Sequence, residues 1–149
     1  MNIKNTVVSI IVLVSLMMSS AGALAKSFSK GIYINQSTAE NSAYLGSLIK
    51  ESKMSGINTF IIDLERTNPR YINNIKMVKD NGIKYVARVV IFPGGGDDSQ
   101  VKNKSYWEKR YKFVENAMNA GANSIQLDYI RYSSKLPANP QHPKDVYQV

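Results

Sequence analysis

Two aspartates lie at equivalent positions of a repeated pattern, and a pair of carboxylates can perform acid–base or nucleophilic chemistry. Asp63 lies seven residues after Gly56, and Asp128 lies seven residues after Gly121. In both places the glycine is followed by a short polar phrase and then by an apolar run that ends near the aspartate. Because parallel strands collect their ligand sites at their carboxyl ends, this spacing predicts that both acids belong to one site.

A basic residue, Arg88, lies inside the apolar run between these two acids. An unpaired buried guanidinium is costly, so we expect Asp63 or Asp128 to be its partner. One interpretation is a catalytic or sugar-binding centre with Asp63 and Asp128 as acids and Arg88 as their charge partner. Its polar wall would consist of Tyr33, Asn35 and Gln126, and Arg131 crowds the same strand end as Asp128. The alternative is an ion-pair network that only fixes strand register.

Composition excludes several other chemistries. The 149 residues contain no Cys and one His, His142, which excludes disulfides, thiolate nucleophiles and multi-histidine metal sites. We therefore predict neither a metal nor a cofactor. The net charge of +8 comes from lysines scattered along helical stretches, and the aromatic residues among them follow no known RNA-binding signature. This pattern predicts solvated helix faces and no nucleic-acid partner, with attraction to anionic envelope polymers as the weaker alternative.

The amino terminus is typical of an export signal. A single Lys precedes an apolar run over residues 7–18, and Ala23-Leu24-Ala25 has the small-residue spacing of a cleavage site. The run is shorter than the roughly 20 residues of a spanning helix, which disfavours a retained membrane anchor. We predict a signal peptide over residues 1–25, cleavage after Ala25 and a secreted or periplasmic product without stable membrane insertion.

Short apolar runs then alternate with amphipathic ones. Strands are predicted over residues 30–35, 59–65, 84–92 and 124–132. The predicted helices begin at a capping box over residues 37–40, at Asn68-Pro69 and at a second capping box over residues 105–108. They end at Gly56, Gly82 and Gly121. The predicted apolar helix faces comprise Tyr44, Leu45, Leu48, Ile49; Ile72, Ile75, Val78; and Trp107, Tyr111, Val114, Met118.

The segment Ile125-Gln126-Leu127-Asp128-Tyr129-Ile130-Arg131-Tyr132 resembles the fourth-strand signature of a glycosyl hydrolase domain family of TIM barrels, long described as a domain of unknown function. Residues 30–33, 56–63 and 82–92 resemble the first three strands of that family. The resemblance implies a carbohydrate-hydrolysing barrel in which Asp128 is the nucleophile or stabiliser. Asp63, Arg88 and Arg131 match further polar positions. The family has Lys-Asp where this chain has Glu65-Arg66, so charge is inverted beside the site.

The predicted fold class is α/β, with parallel βα units forming about half of a TIM (β/α)8 barrel over residues 26–135. A complete barrel takes about 250 residues, so we considered a truncated gene, a fragment of a longer protein and a half barrel completed by dimerisation. The first two are favoured, because residues 136–149 are predicted to be a Pro-rich extended tail with no helix. The open fourth-strand edge invites self-association.

The leading functional hypothesis is an exported glycoside-hydrolase-like protein that acts on a cell-envelope or extracellular polysaccharide or oligosaccharide. Its chemistry would be carboxylate acid–base hydrolysis, although the short chain itself is expected to have reduced or no activity. The alternative is a non-catalytic carbohydrate-binding or degenerate module, in which Tyr33, Trp107 and Tyr129 stack on sugars. Core packing is favoured for Trp107 and Tyr129, and the run from Gly94 to Gly96 is interpreted as a mobile βα loop.

Overall fold

The computed structural model describes residues 28–147, so the predicted signal peptide lies outside the described residues. The strands are β1 (Gly31–Ile34), β2 (Thr59–Asp63), β3 (Lys84–Val90) and β4 (Ser124–Asp128). The helices are α1 (Gln36–Glu40), α2 (Ser42–Met54), α3 (Pro69–Asp80), α4 (Asp98–Val101), α5 (Lys104–Asn119) and α6 (His142–Tyr147). None of the helices within residues 28–147 is long and apolar enough to cross a membrane.

The four strands form one parallel sheet in the order β1-β2-β3-β4, with helices between successive strands. Side chains on one face of the sheet are buried under the helices: Phe60, Ile62, Tyr85, Ala87 and Val89. We call this the helix face, and the opposite face, which carries Asp63 and Arg88, the inner face. Sequential parallel strands with a one-sided helix layer are the arrangement of half a TIM barrel, and the predicted α/β fold class is confirmed.

Each predicted strand is too long at its carboxyl end. β2 ends at Asp63, β3 at Val90 and β4 at Asp128, two to four residues before the predicted ends. At β4 the reason is local, because Tyr129 adopts a left-handed backbone with φ of 55° and turns the chain away from the sheet. The apolar runs continue beyond the strands because Leu64, Ile91 and Phe92 are buried in the core without belonging to a strand.

Both predicted capping boxes are wrong, and asparagines begin the helices instead. Asn35 caps α1 by accepting a hydrogen bond from the Thr38 N–H, and Asn41 then begins α2. Asn103 caps α5 by accepting from the Tyr106 N–H. Asparagine is at least as good an N-cap as serine, and the shorter predicted helices had placed these asparagines outside the elements. The predicted cap at Asn68, with Pro69 as the first helical residue of α3, is confirmed.

The core lies between the helix face and α2, α3 and α5. Leu45, Ile75, Val78 and Trp107 are buried as predicted. Four other residues of the predicted stripes are exposed: Tyr44, Ile72, Tyr111 and Met118. In α3 the buried face is rotated, because Tyr71 and Asn74 occupy it and their polar atoms find partners in Tyr85 and in the Ala39 carbonyl.

The tail differs from the prediction, since residues 142–147 form the short helix α6 instead of an extended chain. The ring of His142 stacks on Tyr132, with their centroids 3.8 Å apart. Asp145 accepts a hydrogen bond from the Tyr132 hydroxyl and lies 3.4 Å from the Lys102 ammonium. A Pro-rich composition predicted no helix because these long-range contacts, which hold α6 against Tyr132 and Lys102, are invisible in the local sequence.

Candidate functional site

The guanidinium of Arg88 joins the two aspartates at the carboxyl ends of the strands. Its Nη1 lies 2.6 Å from Asp63 Oδ1, and its Nε and Nη2 lie 2.7 Å and 2.5 Å from Asp128 Oδ2. The strand register makes this arrangement possible, since Asp63 lies beside Arg88 and Asp128 lies beside Val90 on the next strand. The expectation that a carboxylate pairs with Arg88 is confirmed, and both predicted partners do so.

Tyr33 of β1 extends the same cluster. Its hydroxyl donates a hydrogen bond to Asp63 Oδ2, and its ring lies 5.4 Å from the Arg88 guanidinium carbon. Tyr33 is 56% exposed, so its ring stands on the open inner face beside the ion pairs. The hydrogen bond to Asp63 is the main reason that the pKa of the Tyr33 hydroxyl is raised above its ordinary value. The hydroxyl therefore stays protonated and acts as a donor at neutral pH.

The charges of this cluster are stabilised by one another. Burial alone would lower the pKa of Arg88, but the hydrogen bonds that it donates to Asp63 and Asp128 outweigh burial and raise that pKa. The same hydrogen bond from Arg88, helped by the backbone N–H of Tyr129, lowers the pKa of the Asp128 carboxyl. Asp128 is therefore ionised at neutral pH, which suits a nucleophile or a stabiliser of positive charge and disfavours a proton donor.

The turn after β4 fixes the orientation of Asp128. The Tyr129 N–H donates a 2.7 Å hydrogen bond to Asp128 Oδ1, while Tyr129 itself has the positive φ described above. Its ring is 38% exposed and lies 5.2 Å from the Arg131 guanidinium carbon. Core packing, which we predicted for Tyr129, is therefore wrong, because the left-handed turn moves the ring out of the strand alternation. Trp107, by contrast, is buried as predicted, with its centroid 5.1 Å from that of Phe92.

Three other predicted site residues, Asn35, Gln126 and Arg131, do not join the cluster around Arg88. Asn35 uses its side-chain oxygen to accept hydrogen bonds from the Thr38 N–H and the Ser37 hydroxyl, so it caps α1. Gln126 lies beside Arg88 in the register and is exposed. The Arg131 Nη1 donates to the Tyr132 carbonyl at the strand end. The structure thus brings Tyr33, Asp63, Arg88 and Asp128 into direct contact and leaves these three outside the hydrogen-bonded cluster.

A cleft of about 230 Å³ opens beside the ion pairs. Its lining includes Asp63 and Arg88 together with Glu65 and Arg110, and neither of the latter two forms an ion pair with a residue in the range 28–147. Arg110 of α5 is held in place by hydrogen bonds from its Nε and Nη2 to the Tyr106 hydroxyl. Sequence reasoning missed Arg110, because a helical arginine among many exposed lysines carries no signal of its own.

The glycine loop after β3 is held in place against the segment after β4. The Gly96 N–H donates to the Arg131 carbonyl, and the Ser133 N–H donates to the Gly96 carbonyl. Gly95 has a φ of 93°, and a Cβ at this position would lie 2.6 Å from the Ser133 backbone. Glycine is required there by both backbone conformation and space. The prediction of a mobile loop does not agree with these backbone hydrogen bonds to the segment after β4.

A larger hollow of about 530 Å³ lies elsewhere, between the start of α4 and the segment from Leu136 to His142. It contains no member of the Arg88 cluster, so the smaller cleft is the one adjacent to the predicted chemistry. No group of three or more His, Cys, Asp or Glu side chains suited to a metal ion occurs in the described part of the chain.

Comparison with known proteins supports the fold. No protein-family model and no curated protein matches the sequence significantly. The structure is similar to the crystal structure of a hypothetical protein from Ruminiclostridium thermocellum ATCC 27405, with a TM-score of 0.65 and 19% sequence identity. The aligned region covers 78% of this chain and 87% of that chain. At this identity the likeness shows the fold alone, and the four-stranded unit makes up most of the crystallised chain as well.

Proposed function

We propose that the chain carries a carbohydrate-active site of the glycoside-hydrolase type at the carboxyl ends of its strands. The observation that carries the proposal is the Arg88 guanidinium clamped between Asp63 and Asp128 next to an open cleft. Two carboxylates at the carboxyl ends of barrel strands are the groups that glycoside hydrolysis requires. The resemblance of residues 125–132 to a glycosyl hydrolase domain family supports the same substrate class.

The electrostatics suggest different roles for the acids. Asp128, whose pKa is lowered, suits the stabilisation of a developing oxocarbenium ion or nucleophilic attack on the sugar. Asp63 is held by Arg88 and Tyr33, so it positions the guanidinium and borders the cleft. The second carboxylate that borders the cleft is Glu65, which forms no ion pair with a residue in the range 28–147.

The proposal is tested with purified protein and a panel of soluble plant, bacterial and fungal polysaccharides, measuring the release of reducing ends. Hydrolysis of at least one member by the unmodified chain, even at the reduced rate expected of a short chain, would support the proposal if Asp128→Asn lowers that rate by about 10²- to 10⁴-fold. Asp80→Asn is the matched control, because Asp80 is an exposed helical acid paired with Lys76. Equal turnover by the unmodified chain and Asp128→Asn would overturn the role of Asp128.

A second function, carbohydrate binding without hydrolysis, is favoured by one specific observation. All four carboxylate oxygens of Asp63 and Asp128 already accept hydrogen bonds, from Arg88, from Tyr33 and from the Tyr129 N–H. Such a saturated cluster suits a rigid platform beside the exposed Tyr33 ring, which sugars can stack on. Binding to a glycan array that is weakened by Tyr33→Ala, with no reducing ends released by any variant, would support this function instead.

A further inference from the structure

The sheet has two free edges, formed by β1 and β4, and these two strands run in the same direction. Among residues 28–147, no strand pairs with the outer edge of β1 or with the outer edge of β4. On β1 the Lys30 carbonyl accepts from the Thr59 N–H, so Lys30 directs its backbone groups towards β2. Backbone groups alternate in direction along a strand, which leaves the N–H and C=O groups of Gly31 and Tyr33 pointing outwards.

The outer edge of β4 is complementary to this one. The Asp128 carbonyl accepts from the Ile91 N–H, so Asp128 directs its backbone groups towards β3. The same alternation leaves the N–H and C=O groups of Ile125 and Leu127 pointing outwards. Both edges therefore present an unused row of donors and acceptors, and their strands run in the same direction with their carboxyl ends at the same side of the sheet.

The inner face has unfilled apolar surface beside these edges. Ile61, Val86 and Val90 point to that face and are half-buried. At the amino ends of the strands the face borders a hollow of about 570 Å³, whose lining includes Gly31, Ile61 and Val86. In a closed barrel such residues are packed into layers inside the sheet, with four side chains contributed by alternate strands to each layer.

We propose that two copies of this chain close into one eight-stranded parallel barrel, with β4 of each copy paired to β1 of the other. Four sequential parallel strands with helices on one face supply half of the strands that closure needs. A two-fold axis along the barrel satisfies both free edges at once, and neither copy keeps an open strand. The proposal does not depend on the reaction that the site performs.

Closure also fixes the register of the new strand pair. Within one chain, the strand register pairs Gly31 with Thr59 and Thr59 with Lys84. The β3–β4 register, continued by two residues towards the amino terminus, aligns Lys84 with Ala122. An eight-stranded barrel of this type has a shear of about 8, so each half must contribute an offset of about four residues. One direction of offset places Gly31 opposite residue 126. The other places it opposite residue 118, which belongs to α5 and cannot pair as a strand.

The interface therefore pairs Gln126 with Gly31 and Asp128 with Tyr33 of the second copy. Residues paired in register point to the same face, so the Tyr33 ring of the second copy would stand beside Asp128 on the inner face. Each Asp128 would then lie between its own Arg88 and a tyrosine of the other chain. The two clusters together would line a single barrel mouth with twice the number of acids.

The first experiment measures mass by sedimentation equilibrium for the chain that lacks only the predicted leader. Leu127→Pro removes an N–H that the alternation along β4 directs away from β3, and a proline is tolerated on an edge strand when its missing N–H would point outwards. Leu127→Ala is the matched control, because it removes the same side chain and keeps the N–H. We expect dimers for the unmodified chain and Leu127→Ala, and dimerisation at least about tenfold weaker for Leu127→Pro.

A monomeric unmodified chain would overturn the proposal, and so would a Leu127→Pro variant that is folded by circular dichroism and dimerises normally. Mass that grows without limit would show an open head-to-tail polymer, which also overturns closure.

The second experiment tests the register and does not depend on the proline variant folding. The chain has no cysteine of its own, so a chain with both Gly31→Cys and Gln126→Cys carries two engineered thiols. A Cβ at Gly31 meets only the flexible end of Ile61 at 3.1 Å on its tightest side. Mild oxidation is expected to yield a disulfide-linked dimer. The control pair Gly31→Cys with Ser124→Cys is two residues out of register and should remain unlinked. Equal linkage of both pairs, or of neither, would overturn the proposed pairing.

Discussion

β3 and β4 are neighbouring strands in register, yet one is buried and the other is not. Val89 and Leu127 are register partners on the helix face, but Val89 is 1% exposed and Leu127 is 44% exposed. On the inner face Arg88 is level with Gln126, and Arg88 is embedded in ion pairs while Gln126 is exposed. Both strands have similar alternation in the sequence. Their difference shows that the burial of a strand depends on the helix that covers it and on whether a strand pairs with it on each side.

The same contrast indicates that β3 should contribute more to the stability of the sheet than β4. β3 has a hydrogen-bonded strand on each side, whereas β4 has one, and α5 covers the helix face above β3. The site draws Asp63 and Arg88 from the two central strands and Asp128 from the edge strand. The following substitutions test whether a change in the central strand costs more free energy of unfolding than a change in the edge strand.

The largest effect is expected from Arg88→Ala. The variant leaves Asp63, whose side chain is 8% exposed, without its cation, and breaking a buried pair costs about 3–5 kcal/mol. Gln126→Ala on the edge strand should change the free energy of unfolding by less than about 0.5 kcal/mol. Urea denaturation of both variants measures the difference. A small cost for Arg88→Ala would mean that the ion pairs contribute little and that the inner face of β3 resembles that of β4.

Val89→Ala is expected to rank second. It removes two buried methyl groups and leaves a cavity under α5, at a cost of about 2 kcal/mol. Leu127→Ala removes a larger side chain but should cost less than about 1 kcal/mol, because much of Leu127 is in contact with solvent. Thermal unfolding of the pair is a direct check. If Leu127→Ala proves the more damaging change, something covers the helix face of β4 in solution.

Tyr85→Phe should produce a smaller effect on the central strand. The Tyr71 and Tyr85 hydroxyls are 2.8 Å apart in the core, and burial raises the pKa of Tyr85 to about 12. Loss of the Tyr85 hydroxyl leaves that of Tyr71 without its partner, at a cost of about 1–2 kcal/mol. The exposed Tyr44→Phe is the control and should be neutral. Identical unfolding midpoints for the two variants would show that the buried hydroxyl pair adds no stability.

The smallest effect at neutral pH concerns the titration of the edge-strand acid. The pKa of Asp128 is lower when folded than when unfolded, so its pairing stabilises the fold above the unfolded value of about 3.9. This contribution disappears as the pH falls through the folded pKa. The gap in unfolding free energy between the unmodified chain and Asp128→Asn should therefore shrink in acid. Denaturation at a series of pH values measures the gap, and a constant gap would contradict the pairing of Asp128 with Arg88.

Periodicity predicted the strands, their faces and the helix ends, because these depend on local chemistry. Gly56, Gly82 and Gly121 all have positive φ, as expected for residues that end helices. The pairing of Arg88 with one of the two acids followed from the cost of a buried charge and from strand parity, whereas its pairing with both was seen only in the structure. These features could be predicted because each depends on the chemistry of the residue and of its immediate neighbours.

Other features depend on contacts between distant segments, which no local pattern records. Two of the three predicted helix starts were misplaced because several asparagines and serines compete as caps, and tertiary packing selects among them. Arg110 is held at the cleft by a hydrogen bond that it donates to the Tyr106 hydroxyl. That hydroxyl in turn donates to the Ile91 carbonyl. Glu65 is an exposed loop residue after β2 that lines the cleft together with Asp63.

The glycine loop after β3 has a consequence for the kinetics of ligand binding. Its backbone is hydrogen-bonded to the Arg131–Ser133 segment. The conformational entropy of ordering this loop is therefore lost during folding and not during binding. Pro93, which lines the cleft, directly precedes this loop, so a ligand meets this part of the lining in place. On this side of the cleft, the association rate should be set by diffusional encounter and not by the closing of a gate.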